Sequence, residues 1–488
     1  VLTVICIIFV IGYLCIAFEH PIRINKAASA LATGVLCWTL YAINSGSMVA
    51  PESIPTWFAD KLASQGDGHL DHAKLSLEFM ADGQLHTLLA EISGILFFLL
   101  GAMTIVELVD AYEGFALVTK RITATNKVKL LWIVGVVTFF MSSVLDNLTT
   151  TIVMISLLRK LIKERETRLL FVGIVVIAAN AGGAWTVIGD VTTTMLWIKN
   201  KISTFEVMVR LILPSIVCLV VPLVILSMFL RGNVHRPEAD EYQMEKAITP
   251  NQQKLMLFIG LIGLISVPIF KTITHLPPLM GMMGSLSVLW IVSELVHRRI
   301  DHEYTRSTTH VLEVLKRVDS SAILFFLGIL LAVGCLSSTG LLTSAANALD
   351  SYVGNYSIVA LLIGLISAVV DNVPLVAAGI EMYKFQVDHP FWHMLAFCAG
   401  TGGSCLIIGS AAGVAAMGLE RIDFMWYLRY IAPLALAGYL CGAATLGLLD
   451  DHVFDNGHAK NDTALFDQEV VHYHSSEAAD SIGELTRK

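Results

Sequence analysis

The stretch SSVLDNLTTTIVM, residues 142–154, sets a carboxylate, an amide and three threonines in the middle of an apolar run. Between Lys129 and Arg159 the one charge is Asp146. Such a run is long for one bilayer crossing, which takes about 20 residues, and short for two. A helix that enters, turns at the Asp-Asn pair and leaves by the same face fits that length. The stretch SAVVDNVPLVAAG, residues 367–379, repeats the pattern, with Asp371 the one charge between Tyr352 and Glu381. Two re-entrant hairpins are therefore expected, with Asp146-Asn147 and Asp371-Asn372 at their tips.

The rest of the chain supports a membrane setting. Of its 488 residues 55% are hydrophobic and 15% charged, and the mean hydropathy is +0.71. A soluble domain carries about a quarter charged residues. An all-α polytopic membrane protein is the expected class, with no nucleic-acid partner. Ordinary spans are expected near 1–18, 27–44, 92–109, 207–230, 252–270, 279–296, 320–336 and 424–449. Stretches 169–198 and 390–419 carry Gly182-Gly183 and Gly402-Gly403 at mid-length and are expected as interrupted helices. The 8 cysteines lie in apolar segments and are read as small core residues. The chain begins on Val1, so a natural N-terminus upstream of it is expected.

Basic residues orient this arrangement. With both hairpins re-entrant, most of the 32 lysines and arginines fall in segments on one side. Five of them, Arg159, Lys160, Lys163, Arg165 and Arg168, follow the first hairpin, whereas Lys384 alone follows the second. By the positive-inside rule the first mouth is cytoplasmic and the second is not. The N-terminus, the acidic 45–83 loop and the tail then lie on the non-cytoplasmic side.

Opposite mouths predict two inverted repeats, and ordered matches agree. ILFFLLG at Ile95 resembles ILFFLG at Ile323, DNL at Asp146 matches DNV at Asp371, and NAGGAWTVIGD at Asn180 matches GTGGSCLIIGS at Gly400. The division expected is a first repeat over 1–230, a cytoplasmic linker over 231–251, a second repeat over 252–449, and a polar, disordered tail over 450–488. Transporters with inverted repeats place their sites at the repeat interface.

A carboxylate in hydrocarbon costs at least a few kcal/mol, so Asp146 and Asp371 must face protein, water or a counter-charge. Each also suits a helix N-cap, with Thr149 and Pro374 in the first turn of the following arm. Capping alone needs no charge, and two ionisable caps at equivalent places favour a functional role. The interrupted helices add oxygens from Asn180, Thr186, Asp190, Thr192 and Thr193 in the first half, and from Thr401, Ser404 and Ser410 in the second. Ser367 opens the second motif. The paired glycines either open the backbone to free carbonyl oxygens or serve close helix packing. An oxygen-only set, part of it anionic, suits a small hard cation. Asp190 matches neutral Ser410, so the first half carries more of the site. Glu91 and Asp319 precede the ILFF matches and read either as interfacial caps or as gating or proton-access groups.

The motifs LDNLTTTIVM at 145–154, NAGGAWTVIGDVTTT at 180–194, VVDNVPLVAA at 369–378 and GTGGSCLIIGSAAG at 400–413 resemble those of the NhaD-type sodium/proton antiporters of the ion transporter superfamily, over about residues 1–449. The resemblance implies two inverted repeats, each with a re-entrant hairpin and a broken helix, and a homodimer of scaffold and mobile transport domains in the bilayer of a bacterial inner membrane. It implies no cofactor and no enzymatic activity. It also implies transport of Na⁺ or Li⁺ against protons, with Na⁺ at Asp146, Asn147 and Asp190, and with Asn180, Thr192, Thr193, Asp371 and Asn372 at matching polar positions. A sodium-coupled anion or dicarboxylate carrier of the same fold is the main alternative, although acidic tips repel anions. An intramembrane aspartyl protease would leave the repeat and the Gly-Gly breaks without a role, and a passive channel is a third reading that currents far above carrier turnover would show.

Overall fold

The computed structural model describes residues 1–17, 19–64, 71–119, 122–235, 248–298, 309–353, 355–369 and 371–452. Most of the expected linker and nearly all of the expected tail lie outside them. The described residues are helical apart from turns, loops and one bridge between Asn126 and Asn233. The principal helices are α1 (Leu2–Ala17), α2 (Lys26–Ile43), α3 (His86–Ala111), α4 (Lys127–Leu145), α5 (Asn147–Leu161), α6 (Arg165–Ala184), α7 (Val191–Ile198), α8 (Thr204–Phe229), α9 (Pro250–Thr274), α10 (Pro278–His297), α11 (Ser320–Ser338), α12 (Leu341–Val353), α13 (Tyr356–Ile366), α14 (Asn372–Met382), α15 (Pro390–Gly402), α16 (Ala411–Glu420) and α17 (Ala432–His452). Among the described residues, 9 helices are long and apolar enough to cross a membrane.

The first hairpin closes on itself. At its mouth Lys127 N donates to Gly232 O at 3.0 Å and Val234 N to Thr125 O at 2.8 Å. On the outgoing side Lys163 N donates to His235 O at 2.9 Å. Both ends of the α4–α5 hairpin are thus fastened to the same 232–235 segment, with the turn at Asp146 between them. In the second hairpin, α13–α14, the Tyr356 ring lies 6.5 Å from Phe385 and 5.2 Å from His389, so that mouth closes too.

Each broken helix runs from one mouth to the other. Helix α6 starts beside the first mouth, where Lys127 Nζ donates to Thr167 Oγ1 at 3.3 Å. Past α7, Lys201 O accepts from Asp388 N at 2.9 Å, and Ser203 N donates to Asp388 Oδ1 at 2.6 Å, at the second mouth. Helix α15 starts at that second mouth. Helix α16 ends at the first, where Glu420 pairs with Arg159 at 2.6 Å and Arg168 at 3.0 Å. The hairpins therefore point inward from opposite ends of the broken helices.

Around this centre lie longer helices packed through small residues. Helices α2 and α11 cross so closely that a Cβ at Gly34 would stand 2.7 Å from Gly328 O. Helices α8 and α17 meet where Gly438 faces Cys218 O. Such close approach substitutes for the hydrophobic drive that is missing between helices in lipid.

The 1–18 span is an apolar helix over Leu2–Ala17. Three expectations need correction. The 45–83 segment is not a plain loop: it contains helices Thr56–Ser64 and His72–Glu78, the latter running on into α3. Apolar Phe58 and Phe79 pack there at 5.4 Å. The 424–449 span is split, with a short helix Phe424–Tyr430 before α17. Finally, five cysteines are buried, but Cys6 and Cys15 are half-buried and Cys441 is exposed. An exposed thiol on an apolar helix can face lipid without cost.

Candidate ion-binding site

The two tips and the two helix breaks converge on one cavity of about 140 Å³. Its walls include Asp146, Asn147, Thr149, Asp190 and Thr192 from the first half, and Asp319, Asp371 and Asn372 from the second. Lys26, the first residue of α2, lines it as well.

Asp146 makes the turn. Its backbone is in a left-handed conformation, φ 87°, which non-glycine residues rarely adopt and which costs about 1–3 kcal/mol. Its carboxylate caps α5: Oδ1 accepts from Thr149 N at 2.7 Å and Oδ2 from Thr149 Oγ1 at 3.0 Å. The capping role expected for Thr149 and Asp146 is present, and the charge still faces the cavity.

Asn147 reaches into the first break. Its Nδ2 donates to Asn180 Oδ1 and to Asp190 Oδ1, each at 3.0 Å. Asn180 carries the network across the repeat boundary, because its Nδ2 donates to Ser404 Oγ at 2.8 Å and to Ser410 Oγ at 2.9 Å. Thr192 Oγ1 donates to Asp190 Oδ2. Asn180 is fully buried, and Asp190 is 4% exposed. Asp190 thus sits nearly desolvated, held by an amide and a hydroxyl, beside a tip bearing a second carboxylate. Asp146 and Asp190 line the same cavity.

The glycine pairs act in both of the ways the sequence left open. Helix α6 continues through Gly182-Gly183 to Ala184, and the unwound segment is 185–190. A Cβ at Gly182 would stand 2.2 Å from Phe139 O, and one at Gly402 2.0 Å from Gly364 O. These two glycines let a broken helix press against a hairpin arm. Gly183 and Gly403 instead make room for the returning chain: a Cβ there would meet Gly189 O at 2.5 Å and Gly409 O at 2.7 Å. Backbone opening therefore begins after the glycines in the first half and on them in the second, where α15 ends at Gly402.

Some expected residues lie elsewhere. Thr193 Oγ1 donates to Ala184 O at 3.4 Å, and Thr186 Oγ1 to Ser143 O at 2.6 Å. Ser367 Oγ bonds Gly364 O at 2.7 Å, and Thr401 Oγ1 bonds Phe397 O at 2.6 Å. In all four a side-chain hydroxyl donates to a backbone carbonyl. Glu91 pairs with Lys199 beyond the end of α7. Asp319 caps α11 by accepting from Ala322 N at 3.0 Å, while it also lines the cavity.

Sequence reasoning missed Lys26. Its Nζ lies 3.0 Å from Asp371 Oδ2 and 4.5 Å from the centre of the Phe325 ring. A signal was available: a lysine in the first turn of an apolar helix opposes the helix dipole and calls for an anionic partner.

A fold of hairpins and broken helices around a buried oxygen cluster defines a secondary transporter. Comparison with known proteins agrees: residues 13–384 match the family model described as CitMHS, citrate transporter. The chain is 46% identical over 90% of its length to sodium/proton antiporter 1 of Arabidopsis thaliana, covering 71% of that protein. It is 43% identical to sodium/proton antiporter 2 of the same plant, over 90% of this chain and 97% of that one. It is 30% identical to the Na(+)/H(+) antiporter NhaD of Alkalimonas amylolytica, over 92% of each. The crystal structure of the Alcanivorax borkumensis YdaH transporter matches with a TM-score of 0.54 at 13% identity, covering 87% of this chain and 98% of that one, a likeness of fold. The chain belongs to the ion transporter superfamily, as an NhaD-type member.

Proposed function

We propose that this protein exchanges sodium or lithium for protons by alternating access, with Asp146 and Asp190 as the carboxylates for which cation and proton compete. One observation carries this reading: Asp146 and Asp190 are among four carboxylates that line one cavity, and a buried amide network from both halves holds Asp190. Asn147 orients Asp190 through a direct hydrogen bond, and Asn180 fixes Asn147 and the two serines of the second half. A proton on either carboxylate removes the charge that would hold Na⁺, and bound Na⁺ disfavours the proton. That competition couples the two flows. The names of the relatives support antiport over the citrate carriage in the family model's description, since an anion would meet acidic tips. We further propose that the halves are inverted repeats and that the hairpin-bearing bundle moves against a scaffold in a homodimer. As for the membrane, the resemblance suggested a bacterial inner one, but the higher identities to plant relatives favour a plant-type cell. Imaging a tagged full-length chain decides between them.

The test is proton flux in proteoliposomes carrying a pH indicator inside. Adding Na⁺ or Li⁺ outside is expected to make the lumen alkaline, which sodium entering alone cannot do. Asp146→Asn and Asp190→Asn should each abolish the response while leaving the protein monodisperse. Retained exchange in either variant would remove that residue from the site, and dicarboxylate uptake in place of proton flux would sink the antiport reading.

A further inference from the structure

The two tips are alike in sequence but not in their partners, and the difference traces to one position. Asp146 is held by the amide and the hydroxyl of Thr149. Three residues after Asp371 stands Pro374, which has neither an N–H nor a hydroxyl to offer. Within its own hairpin, among the described residues, Asp371 keeps a long bond from Val373 N, 3.4 Å. The donor that replaces Thr149 is the Lys26 ammonium, 3.0 Å from Oδ2. It comes from α2, which packs on α11 and α1 rather than within the hairpin. Lys26 and Asp371 are only partly exposed, 29% and 21% at their side chains, and both line the cavity that holds Asp146 and Asp190.

We propose that Lys26 is a resident cation of the second half: its ammonium occupies Asp371 in place of a transported ion, which leaves Asp146 and Asp190 as the single exchangeable cation site. This rests on the antiport reading above and adds to it the role of Lys26 as a positioning residue. The charged groups facing the cavity are Asp146, Asp190, Asp319, Asp371 and Lys26. With the pair intact, Lys26 is neutralised and does not repel an incoming Na⁺. Without Asp371, the same ammonium loses the carboxylate 3.0 Å away, and the ion's cavity becomes one unit charge more positive. Without both, the cavity returns to its original net charge.

The experiment measures half-saturating Na⁺ for proton exchange, and binding of radioactive sodium to purified protein, in four proteins: wild type, Lys26→Arg, Asp371→Asn, and Lys26→Met with Asp371→Asn. Asp371→Asn should weaken sodium binding about tenfold, the scale of one unit charge several ångströms away in a partly screened site. The double variant should recover to within about twofold of wild type, and Lys26→Arg should stay near it. A merely structural pair would not give rescue by deleting its second member. If Asp371 is itself a sodium ligand, the double variant will bind as poorly as Asp371→Asn or worse, and the proposal fails. Size-exclusion profiles identify misfolded variants, and Asp371→Asn compared with the double variant at matched monodispersity still decides. Wild type lacking any sodium-dependent proton flux would overturn the antiport reading instead, a distinct outcome.

Discussion

Asn180 is a single amide that both halves of the chain use. Its Oδ1 accepts from Asn147 and its Nδ2 donates to Ser404 and Ser410, and it is fully buried. Buried amides without partners are costly, so a residue that satisfies three neighbours at once has few substitutes. Asn180→Ala is expected to destabilise the protein by about 2–3 kcal/mol through the partners it strands. It should also slow sodium-dependent proton exchange at least about tenfold, since Asp190 loses the fixed amide beside it. Flux in proteoliposomes and thermal unfolding in detergent read the two effects; unchanged flux would reduce Asn180 to packing. At this scale the tips, Asn180 and Asp190 were legible because polar atoms in apolar runs need a reason. Thr193 and Ser367 lie outside the cavity lining because a hydroxyl can satisfy itself on a nearby carbonyl, and both do. Lys26 escaped because it sits at a helix end, where a lysine passes as an ordinary interfacial residue and counts toward orientation rather than toward the site.

Broken helices and hairpin arms touch through backbone, and glycine makes that contact. At Gly182 and Gly402 the atom a Cβ would strike is a carbonyl oxygen of the facing arm, at 2.2 and 2.0 Å. A carbonyl held in its own helix cannot rotate away as a side chain can, so the helices themselves must separate. Gly182→Ala and Gly402→Ala are each expected to cost about 3 kcal/mol or more, the upper range for overpacking. Gly94→Ala in α3, where nothing lies within 4 Å of the added atom, should be neutral or slightly stabilising by helix propensity. Melting of the three purified variants checks this; equal losses at all three positions would mean that the contacts do not set stability. The glycine pairs themselves were legible in the sequence, as was the interruption of both helices. Where each helix unwinds was not, because a glycine that serves close packing and one that opens a turn look the same in a chain. The helices within 45–83 were missed for another reason: Pro and Gly punctuate the segment, and Phe58 meets Phe79 only once the chain has folded back.

Over the whole molecule the charges sort by mouth. Arg159 and Arg168 meet Glu420 at the first, and Asp388 holds the 201–203 segment at the second. Each mouth thus joins a hairpin of one half to the end of the broken helix of the other. If the bundle moves, these contacts travel with it, and the cavity between the tips is presented to one side and then the other. The contacts put the two mouths at opposite ends of the broken helices, and lysine and arginine counts predict which of them faces the cytoplasm. In a background with native cysteines replaced, Lys163→Cys at the first mouth and Lys384→Cys at the second should react with a membrane-impermeant maleimide from opposite sides. Lys163→Cys should label only in inside-out vesicles, since the positive-inside rule expects its arginine- and lysine-rich neighbourhood in the cytoplasm. Lys384→Cys should label only in right-side-out vesicles. Labelling of both from one side would mean that the hairpins share a face. The contacts that send each broken helix from one mouth to the other would then have to be wrong, and with them the alternating access built on two opposed tips.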